Sequence, residues 1–324
     1  MTSSKILNLD MLVEFENRRV LHPDFSEGEE LLDDLLKLSP KLQNAYIVTF
    51  FAHPGLGKST LLLDLQARNP SYIKKDNDAN RLIIPVPTIS AEENCSVRKV
   101  VDSLCHAAGK STTTSANAAY LKRKAIEALK DVGAVALAID EAQEFLNNSN
   151  RSGVKSVVSF IRSLADAIKI PLILMGTPCY EDFVYAADDM SRRVKTSHHL
   201  KIMDSPIHDQ TLFYRTSEGM LENLQVVTGR TLCKSIDRLE FTQRLFIVSG
   251  GRIGCIYDFL AQYIKDQEKS GSTKTTFDID DCLKVLKRYR APFPLIKPST
   301  EAFKVLPEDL SGLMIKYESM EDHV

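Results

Sequence analysis

Residues 45–68 read AYIVTFFAHPGLGKSTLLLDLQAR, and this stretch decides the fold. Its first seven residues form an apolar run that is typical of a strand buried on both faces of a sheet. The segment AHPGLGKST follows at 52–60, and LLLDLQAR then has the character of a helix. A strand, a glycine-containing loop and a helix in this order predict a phosphate-binding P-loop, in which backbone N–H groups and the positive end of the helix face the phosphates.

The loop fits the pattern GxxxxGK[ST] except at its first position, where Ala52 replaces the usual glycine. Alanine tolerates fewer backbone angles, so we expect a slightly altered turn there. Lys58 is predicted to bind the β- and γ-phosphates of ATP, and Ser59 to bind Mg²⁺. The predicted nucleotide-binding residues are His53, Pro54, Gly55, Leu56, Gly57, Lys58, Ser59 and Thr60.

A second motif, AVALAIDEAQEF at 134–145, is an apolar strand that ends in two acids. In sheets of this class we expect that strand to lie beside the P-loop strand. Asp140 is predicted to hold Mg²⁺ through its water shell, because Mg²⁺ prefers oxygen ligands and retains waters. Glu141 is predicted to orient and activate the attacking water. Two acids after a strand often mark only an exposed helix start, but their position after a P-loop favours ATP hydrolysis.

Thr177 follows the strand predicted at 171–175, within the sequence PLILMGTP. A polar side chain at the tip of such a strand is suited to contact the γ-phosphate or the attacking water. A threonine that only caps the next turn is an equally good interpretation. We therefore include Thr177 among the candidate catalytic residues and leave both interpretations open.

Three arginines are further candidates. Arg192 and Arg193 precede a strand predicted at 199–203, and in ring-forming ATPases an arginine at this place reaches the γ-phosphate of the neighbouring subunit. The alternative is an exposed basic pair, and the sequence does not choose between the two arginines. Arg252, in SGGRIGCI at 249–256, is predicted to contact nucleotide from a helical domain, although a glycine-assisted turn into the next helix is the better supported interpretation.

The alternation of strands and helices predicts a RecA-like α/β fold of the AAA+ type, a three-layer parallel sheet that is covered on both faces. A further strand is predicted at 82–86, near the sheet edge because it contains Pro85. After residue 204 only helical periodicity is evident, which predicts a small helical lid and then an extended C-terminal tail. The predicted division is 1–44 (N-terminal segment of the module), 45–204 (nucleotide-binding core), 205–290 (lid) and 291–324 (tail, a possible docking segment for a partner).

Composition limits the partners and the compartment. Lys plus Arg number 41 and Asp plus Glu 43, a formal net charge of −2, so any contact with nucleic acid requires a local basic patch. The six cysteines are scattered without a CxxC pair, which predicts neither a zinc site nor a disulfide framework and fits the cytoplasm. No stretch approaches the roughly 20 apolar residues that cross a bilayer, so we expect no contact with a membrane.

With these motifs in place, the chain resembles the AAA+ ATPases that regulate DDE transposases, the TniB/TnsC family. The resemblance extends over about residues 15–285. It rests on the sequence LHPDF at 21–25, IDEAQEF, PLILMGTP, the paired arginines and SGGRIG. The P-loop and the two acids are common to AAA+ proteins, whereas DEAQ and MGTP are more specific but short.

The resemblance implies a protein that binds ATP and Mg²⁺, oligomerises on double-stranded DNA as a ring or helical filament, and recruits or activates a DDE transposase. A targeting protein of the TniQ kind is a possible further partner, and hydrolysis would drive disassembly. By the same resemblance, DNA would contact elements after the second strand. An ordinary charged helix face is the competing interpretation of the residues this indicates, which are Lys99, Lys110, Lys122, Arg123 and Lys124.

Two other functions remain open. An initiator-like ATPase or helicase loader usually adds a helix-turn-helix module after the lid, and we expect the stretch after Arg290 to be too short for one. A partner-switching ATPase of the signalling or defence type, such as the STAND proteins, would not bind DNA. The sequence shows no appended repeat domain of the kind such proteins carry.

Overall fold

A computed structural model describes residues 10–41, 46–75, 80–111, 117–146, 151–186, 191–270 and 274–318. The chain divides into two compact units. One is Pro23–Lys201, which we call the sheet unit. The other, the helical unit, comprises the described residues of Met1–His22 and Ile202–Val324, and it includes the first helix, α1 (Asp10–Asn17).

The sheet unit contains a five-stranded parallel sheet with the order β4-β5-β6-β1-β7, which confirms the predicted fold class. All six residues of the P-loop strand are buried, as its apolar sequence predicts. The one side-chain hydroxyl in this strand, on Thr49, lies 2.6 Å from the Ser197 hydroxyl on the neighbouring strand. The buried Thr49 hydroxyl therefore has a hydrogen-bond partner. The strands of this unit are β1 (Ile47–Ala52), β2 (Tyr72–Lys75), β3 (Asn80–Ile83), β4 (Thr88–Ser90), β5 (Leu137–Asp140), β6 (Leu172–Gly176) and β7 (Val194–Leu200).

Helices cover the two faces of this sheet. One buried cluster joins the sheet to residues of α4, α5 and α6, and a second joins it to α2 and α3, which gives the three predicted layers. Ser96 caps α4, since its hydroxyl accepts a hydrogen bond from the Lys99 N–H at 3.3 Å. The helices are α2 (Pro23–Leu38), α3 (Lys58–Arg68), α4 (Val97–Ala107), α5 (Ala118–Asp131), α6 (Arg151–Ile168) and α7 (Glu181–Ala186).

The prediction that residues 82–86 form a strand of the main sheet is wrong. β3 ends at Ile83 and pairs only with β2, in an antiparallel hairpin separate from the main sheet. The next residues still run beside β5, because the Val135 N–H donates to the Pro85 carbonyl at 2.8 Å. Pro85 and Pro87 have no N–H to donate in return, so a regular ladder starts only at Thr88, the first residue of the edge strand β4.

The helical unit is built from five further helices around a core rich in aromatic side chains. Tyr263 and Phe277 lie at its centre with ring centroids 4.4 Å apart, and both are fully buried. A two-residue parallel pair, β8 (Thr231–Leu232) and β9 (Thr276–Phe277), connects distant parts of this unit. The helices are α8 (Leu212–Thr228), α9 (Arg238–Ser249), α10 (Ile253–Ser270), α11 (Ile279–Leu286) and α12 (Pro307–Glu318).

The extended tail predicted for 291–324 is corrected by the structure. Ser299–Phe303 form a 3₁₀ helix, α12 follows, and Phe303 and Met314 are buried in the core of the helical unit. The prediction failed because prolines interrupt the periodicity of 291–298 and because α12 is short. Its apolar residues nevertheless have helical spacing: Leu310, Leu313, Met314 and Tyr317.

The N-terminal segment divides differently from the predicted 1–44. Helix α1 belongs to the helical unit, where the Phe15 ring lies 5.7 Å from the Tyr257 ring on α10. The Tyr257 hydroxyl also accepts a hydrogen bond from the Val20 N–H at 2.6 Å. Helix α2 belongs to the sheet unit, so the chain passes from one unit to the other at His22 and Pro23. No helix in the described ranges is both long and apolar enough to cross a membrane.

Met314→Ala is expected to lower the free energy of unfolding by about 3 kcal/mol, because it removes a fully buried side chain and leaves a cavity. Its neighbour Ile315 is 62 % exposed on the same helix, so Ile315→Ala should change stability by less than about 0.5 kcal/mol. Urea unfolding followed by circular dichroism measures both. Equal effects of the two substitutions would show that α12 does not pack as described.

Candidate functional site

The P-loop joins the end of β1 to the start of α3. Gly55 and Gly57 have φ angles of +82° and +92°, in the left-handed region that favours glycine. Ala52 is not among the described residues with positive φ; it is the last residue of β1 and pairs with Leu200. The replacement of glycine by Ala52 therefore strains no backbone here. Phe25 of α2 supports the loop, since a Cβ on Gly57 would lie 3.4 Å from its ring.

Lys58 is buried between two carboxylates. Its Nζ donates to Glu141 Oε1 at 2.8 Å and lies 3.1 Å from Asp140 Oδ1, while only 7 % of Lys58 is exposed. A buried ammonium is costly unless it is paired, and here the two acids compensate it. The residues predicted to bind phosphate and to drive hydrolysis thus lie within hydrogen-bond distance of one another.

The acids do not lie on the strand beside β1, and that expectation is corrected. In the sheet order β6 lies between β1 and β5, so β6 separates the P-loop strand from the acid strand, and Thr177 directly follows β6. The long side chain of Lys58 reaches the acids at the carboxyl edge of the sheet. The ends of three neighbouring strands thus contribute to one site, as is usual in open α/β sheets.

Ser59 and Asp140 provide the oxygen atoms that fit Mg²⁺. The Ser59 hydroxyl, at the start of α3, donates to Asp140 Oδ2, at the end of β5, at 2.9 Å, so two oxygen ligands lie together. Within the described ranges no cluster of three or more His, Cys, Asp or Glu side chains is placed to hold a metal. Mg²⁺ usually completes its shell with water and substrate phosphate oxygens, so these two side chains are sufficient protein ligands for it.

Glu141 has an unusual backbone conformation. Its φ of +52° and ψ of +37° are left-handed, which costs a non-glycine residue roughly 1–3 kcal/mol. The Glu141 N–H donates to Asp140 Oδ1 at 2.8 Å, which holds this turn. The 3₁₀ helix Ala142–Phe145 follows. The turn directs the Glu141 carboxylate back towards Lys58.

Gln143 is a site residue that the sequence analysis missed. Its Nε2 donates to Glu141 Oε2, and its Oε1 accepts a hydrogen bond from the Thr177 N–H at 3.1 Å. The Thr177 hydroxyl lies 3.0 Å from the Cys179 sulfur. The signal that pointed to Gln143 was the glutamine of DEAQ, two residues after Glu141.

The structure distinguishes the two candidate arginines. Arg193 makes a two-pronged ion pair with Asp166 of α6, with Nε–Oδ1 and Nη2–Oδ2 distances of 3.0 Å each. Its carbonyl also accepts the Ile47 N–H at 3.0 Å. Arg192 is exposed, and among the described residues its guanidinium has no hydrogen-bond or ion-pair partner. Arg193 is thus held in an ion pair within its own chain, whereas the Arg192 guanidinium is exposed and could contact a neighbouring subunit.

Arg252 lies in the helical unit, in the turn between α9 and α10. Gly250 and Gly251 have φ angles of +58° and +72°, as the glycine-assisted turn requires. The Arg252 guanidinium stacks 4.3 Å from the centroid of the Phe293 ring, and its Nη1 donates to the Gly250 carbonyl at 3.1 Å. Burial lowers the pKa of Arg252. Its role in contacting nucleotide stays a prediction.

The five basic residues predicted to contact DNA are largely balanced by acids. Lys99 Nζ lies 3.9 Å from Glu92, and Lys110 Nζ lies 2.9 Å from Asp131. On α5, Arg123 and Lys124 each approach Glu127 within 3.5 Å, and both lie against the Tyr120 ring. Lys122 is next to them on the same helix and is partly exposed. This arrangement is that of a charged helix face, and the role in DNA binding stays a prediction.

The fold and the P-loop define the class of the protein, which is AAA+. Three solved structures share this fold at low identity. An Aeropyrum pernix ORC2 protein (ADPNP-ADP complexes) has a TM-score of 0.55 at 12 % identity, with 85 % of this chain and 71 % of that chain covered. Cdc6p from Pyrobaculum aerophilum has a TM-score of 0.57 at 14 % identity, covering 85 % and 70 %. The Aeropyrum pernix ORC1 protein in complex with DNA has a TM-score of 0.56 at 12 % identity, with 96 % of this chain and 87 % of that chain covered.

The family model described as "Bacterial TniB protein" matches residues 14–203. The chain therefore belongs to the TniB family, and the resemblance stated from its motifs is confirmed. No curated protein sequence matches it.

Lys58→Ala is expected to abolish ATP binding, because it removes the cation that is predicted to bind phosphate and leaves Asp140 and Glu141 without a positive partner between them. Titration calorimetry with a non-hydrolysable ATP analogue measures this loss. Lys37→Ala is the matched control, since Lys37 is an exposed lysine on α2 that pairs only with Asp34 among the described residues. Retained affinity in Lys58→Ala would refute the assignment of the P-loop.

Proposed function

We propose that the protein is a Mg²⁺-dependent ATPase that oligomerises on double-stranded DNA and regulates transposition by recruiting or activating a DDE transposase. The observation that carries the ATPase part is the contact of Lys58 with both Asp140 and Glu141 at the mouth of a P-loop. That contact unites a phosphate-binding cation, a Mg²⁺ ligand and a candidate general base. Membership of the TniB family supports the part that concerns transposition.

In this proposal each residue has one role. Lys58 and the P-loop N–H groups would bind the phosphates of ATP, and Ser59 and Asp140 would hold Mg²⁺, which would supply positive charge beside the phosphates. Glu141 accepts a proton from a water molecule while the water oxygen bonds to the γ-phosphorus and the bond to the ADP oxygen breaks. Thr177 lies at the end of β6, between the two strands that carry these groups, and would contact the γ-phosphate or the water.

The DNA part of the proposal rests on the family and on one neighbour. The Aeropyrum pernix ORC1 structure is of a complex with DNA. The same likeness favours a second candidate, an initiator-like ATPase that does not serve transposition. Both would bind DNA, whereas only a transposition regulator would stimulate a transposase. A partner-switching ATPase would assemble without DNA, so an assembly assay separates it from the other two.

Electron microscopy with a non-hydrolysable ATP analogue, with and without double-stranded DNA, tests the proposal. We expect rings or filaments only when both ligands are present. They should weaken steeply as salt rises, because phosphate contacts release counterions. Glu141→Gln should form the same assemblies with ATP itself and persist, since it binds but hydrolyses at least about 100-fold more slowly without the general base.

Addition of a cognate transposase then separates the two DNA-binding candidates. Stimulation of strand transfer by the assembled protein supports the regulator, and its absence supports the initiator-like function. Particles that form without DNA, or a monomer under all conditions, would refute the DNA part of the proposal. Normal turnover by Glu141→Gln would remove Glu141 from the mechanism.

Arg192 is proposed as the arginine that acts on the neighbouring subunit. Arg192→Ala is expected to lower kcat by about 10³-fold, the lower range for removal of an arginine finger. Arg193→Ala is the matched control: it breaks a partly exposed ion pair with Asp166 and should cost well under tenfold in kcat. Steady-state ATPase assays on assembled protein measure both.

Mixing Arg192→Ala subunits with Glu141→Gln subunits tests whether the arginine acts in trans. Each mixed interface of the correct order combines an intact Glu141 with an intact Arg192, so activity should reappear at intermediate ratios. No recovery at any ratio would show that Arg192 does not act across the interface. A larger loss in Arg193→Ala than in Arg192→Ala would reverse the assignment.

A further inference from the structure

We propose that Gln143 is a positioning residue for hydrolysis, whose amide ties the Glu141 carboxylate to the backbone N–H of Thr177. This inference rests on the proposed ATPase activity and deepens it. It adds a residue that neither binds phosphate nor accepts the proton. Its role is to hold the general base in one orientation and to connect it to the tip of β6.

The hydrogen bonds fix the orientation of the Gln143 amide. Its Nε2 donates to Glu141 Oε2, and its Oε1 accepts the Thr177 N–H at 3.1 Å. A flipped amide would set oxygen against a carboxylate oxygen and NH₂ against an N–H, so both contacts would become repulsive. The Gln143 amide therefore donates to the acid through its nitrogen and accepts from the backbone through its oxygen.

The surrounding structure holds Gln143 in place. It belongs to the 3₁₀ helix whose residues Ala142 and Phe145 are buried in the core of the sheet unit. On the other side, a Cβ on Gly176 would lie 3.1 Å from Gln143 Oε1 and 3.4 Å from its backbone N. Glycine at position 176 therefore lets β6 approach the amide closely. The side chain fills a defined space between the ends of β5 and β6.

The hydrogen bond from Gln143 to Glu141 does not involve Lys58. Glu141 uses one carboxylate oxygen for Lys58 and the other for Gln143. When Lys58 binds phosphate, its hold on Oε1 weakens, whereas the bond to Oε2 needs no change. Gln143 would then keep the carboxylate directed at the attacking water. Because Thr177 is the other partner of the amide, a shift at the tip of β6 also moves the general base.

Gln143→Leu removes both hydrogen bonds at similar volume and is the main test. We expect kcat to fall at least about tenfold, because a displaced general base loses much of its typical 10²–10⁴-fold contribution. KM for ATP and the affinity for a non-hydrolysable analogue should change less than about threefold, since Gln143 makes no phosphate contact in this proposal. Gln143→Glu should lose at least as much, because it cannot donate and places a second negative charge beside Glu141.

Gln66→Leu is the matched control. The Gln66 amide also bridges within the sheet unit, donating to the Thr88 hydroxyl at 2.9 Å, but it does not contact Glu141 or Thr177. The Gln66→Leu substitution should leave kcat unchanged, and it should lower the midpoint temperature of unfolding about as much as Gln143→Leu does. A purely structural glutamine at position 143 would behave in the same way as Gln66.

The Glu141→Gln background shows whether Gln143 acts through Glu141. In single-turnover assays, adding Gln143→Leu to that background should change the rate by less than about twofold. If Gln143→Leu lowers the rate in the Glu141→Gln background as much as it does alone, Gln143 acts independently of Glu141 and the proposal is overturned. An unchanged kcat in the Gln143→Leu single variant would also overturn it. So would equal losses of kcat and of affinity for the ATP analogue. Wild-type protein that hydrolyses ATP but never assembles on DNA would refute the DNA part of the proposed function alone. Wild-type protein without hydrolysis would overturn both proposals.

Discussion

The buried ammonium of Lys58 is the constraint on which the site depends. A lysine that is almost inaccessible to water is stable only beside compensating charge, and Asp140 and Glu141 supply it from the end of β5. This requirement explains why the chain accepts a left-handed backbone at Glu141, which turns the carboxylate towards the lysine. Because β5 and β1 belong to one parallel sheet, both end at the same edge, where Lys58 reaches the two acids. Fold and chemistry are therefore linked through one side chain.

The sequence predicted those parts of the fold that are set by local pattern. The apolar run before the P-loop and the acids after a second apolar run depend on near neighbours, and the fold class follows from them. The order of the strands does not, because it is decided by which strands pair over long distances. The expectation that β5 lies beside β1 was wrong for that reason, since β6 pairs with both.

The same distinction applies to the site. Lys58, Ser59, Asp140 and Glu141 belong to motifs and were recognised from spacing, and the structure brings them together. Gln143 was missed because its hydrogen bonds connect Glu141 to Thr177, a residue far along the chain. The tail was misjudged because a short helix contributes little periodicity, and only its burial against the other helices shows that it belongs to the core. A single sequence does not reveal which residues far apart in the chain contact each other.

The charge balance of the surface bears on how such a protein would use DNA. The cations near Glu92, Asp131 and Glu127 are exposed, and exposed ion pairs contribute at most about 1 kcal/mol each, so exchanging a carboxylate for a phosphate costs little. One subunit with a net charge of −2 would then bind DNA weakly. Several subunits joined side by side would bind far more tightly, because each added contact becomes intramolecular. ATP that promotes assembly would therefore control DNA affinity without any change in the DNA-contacting residues themselves.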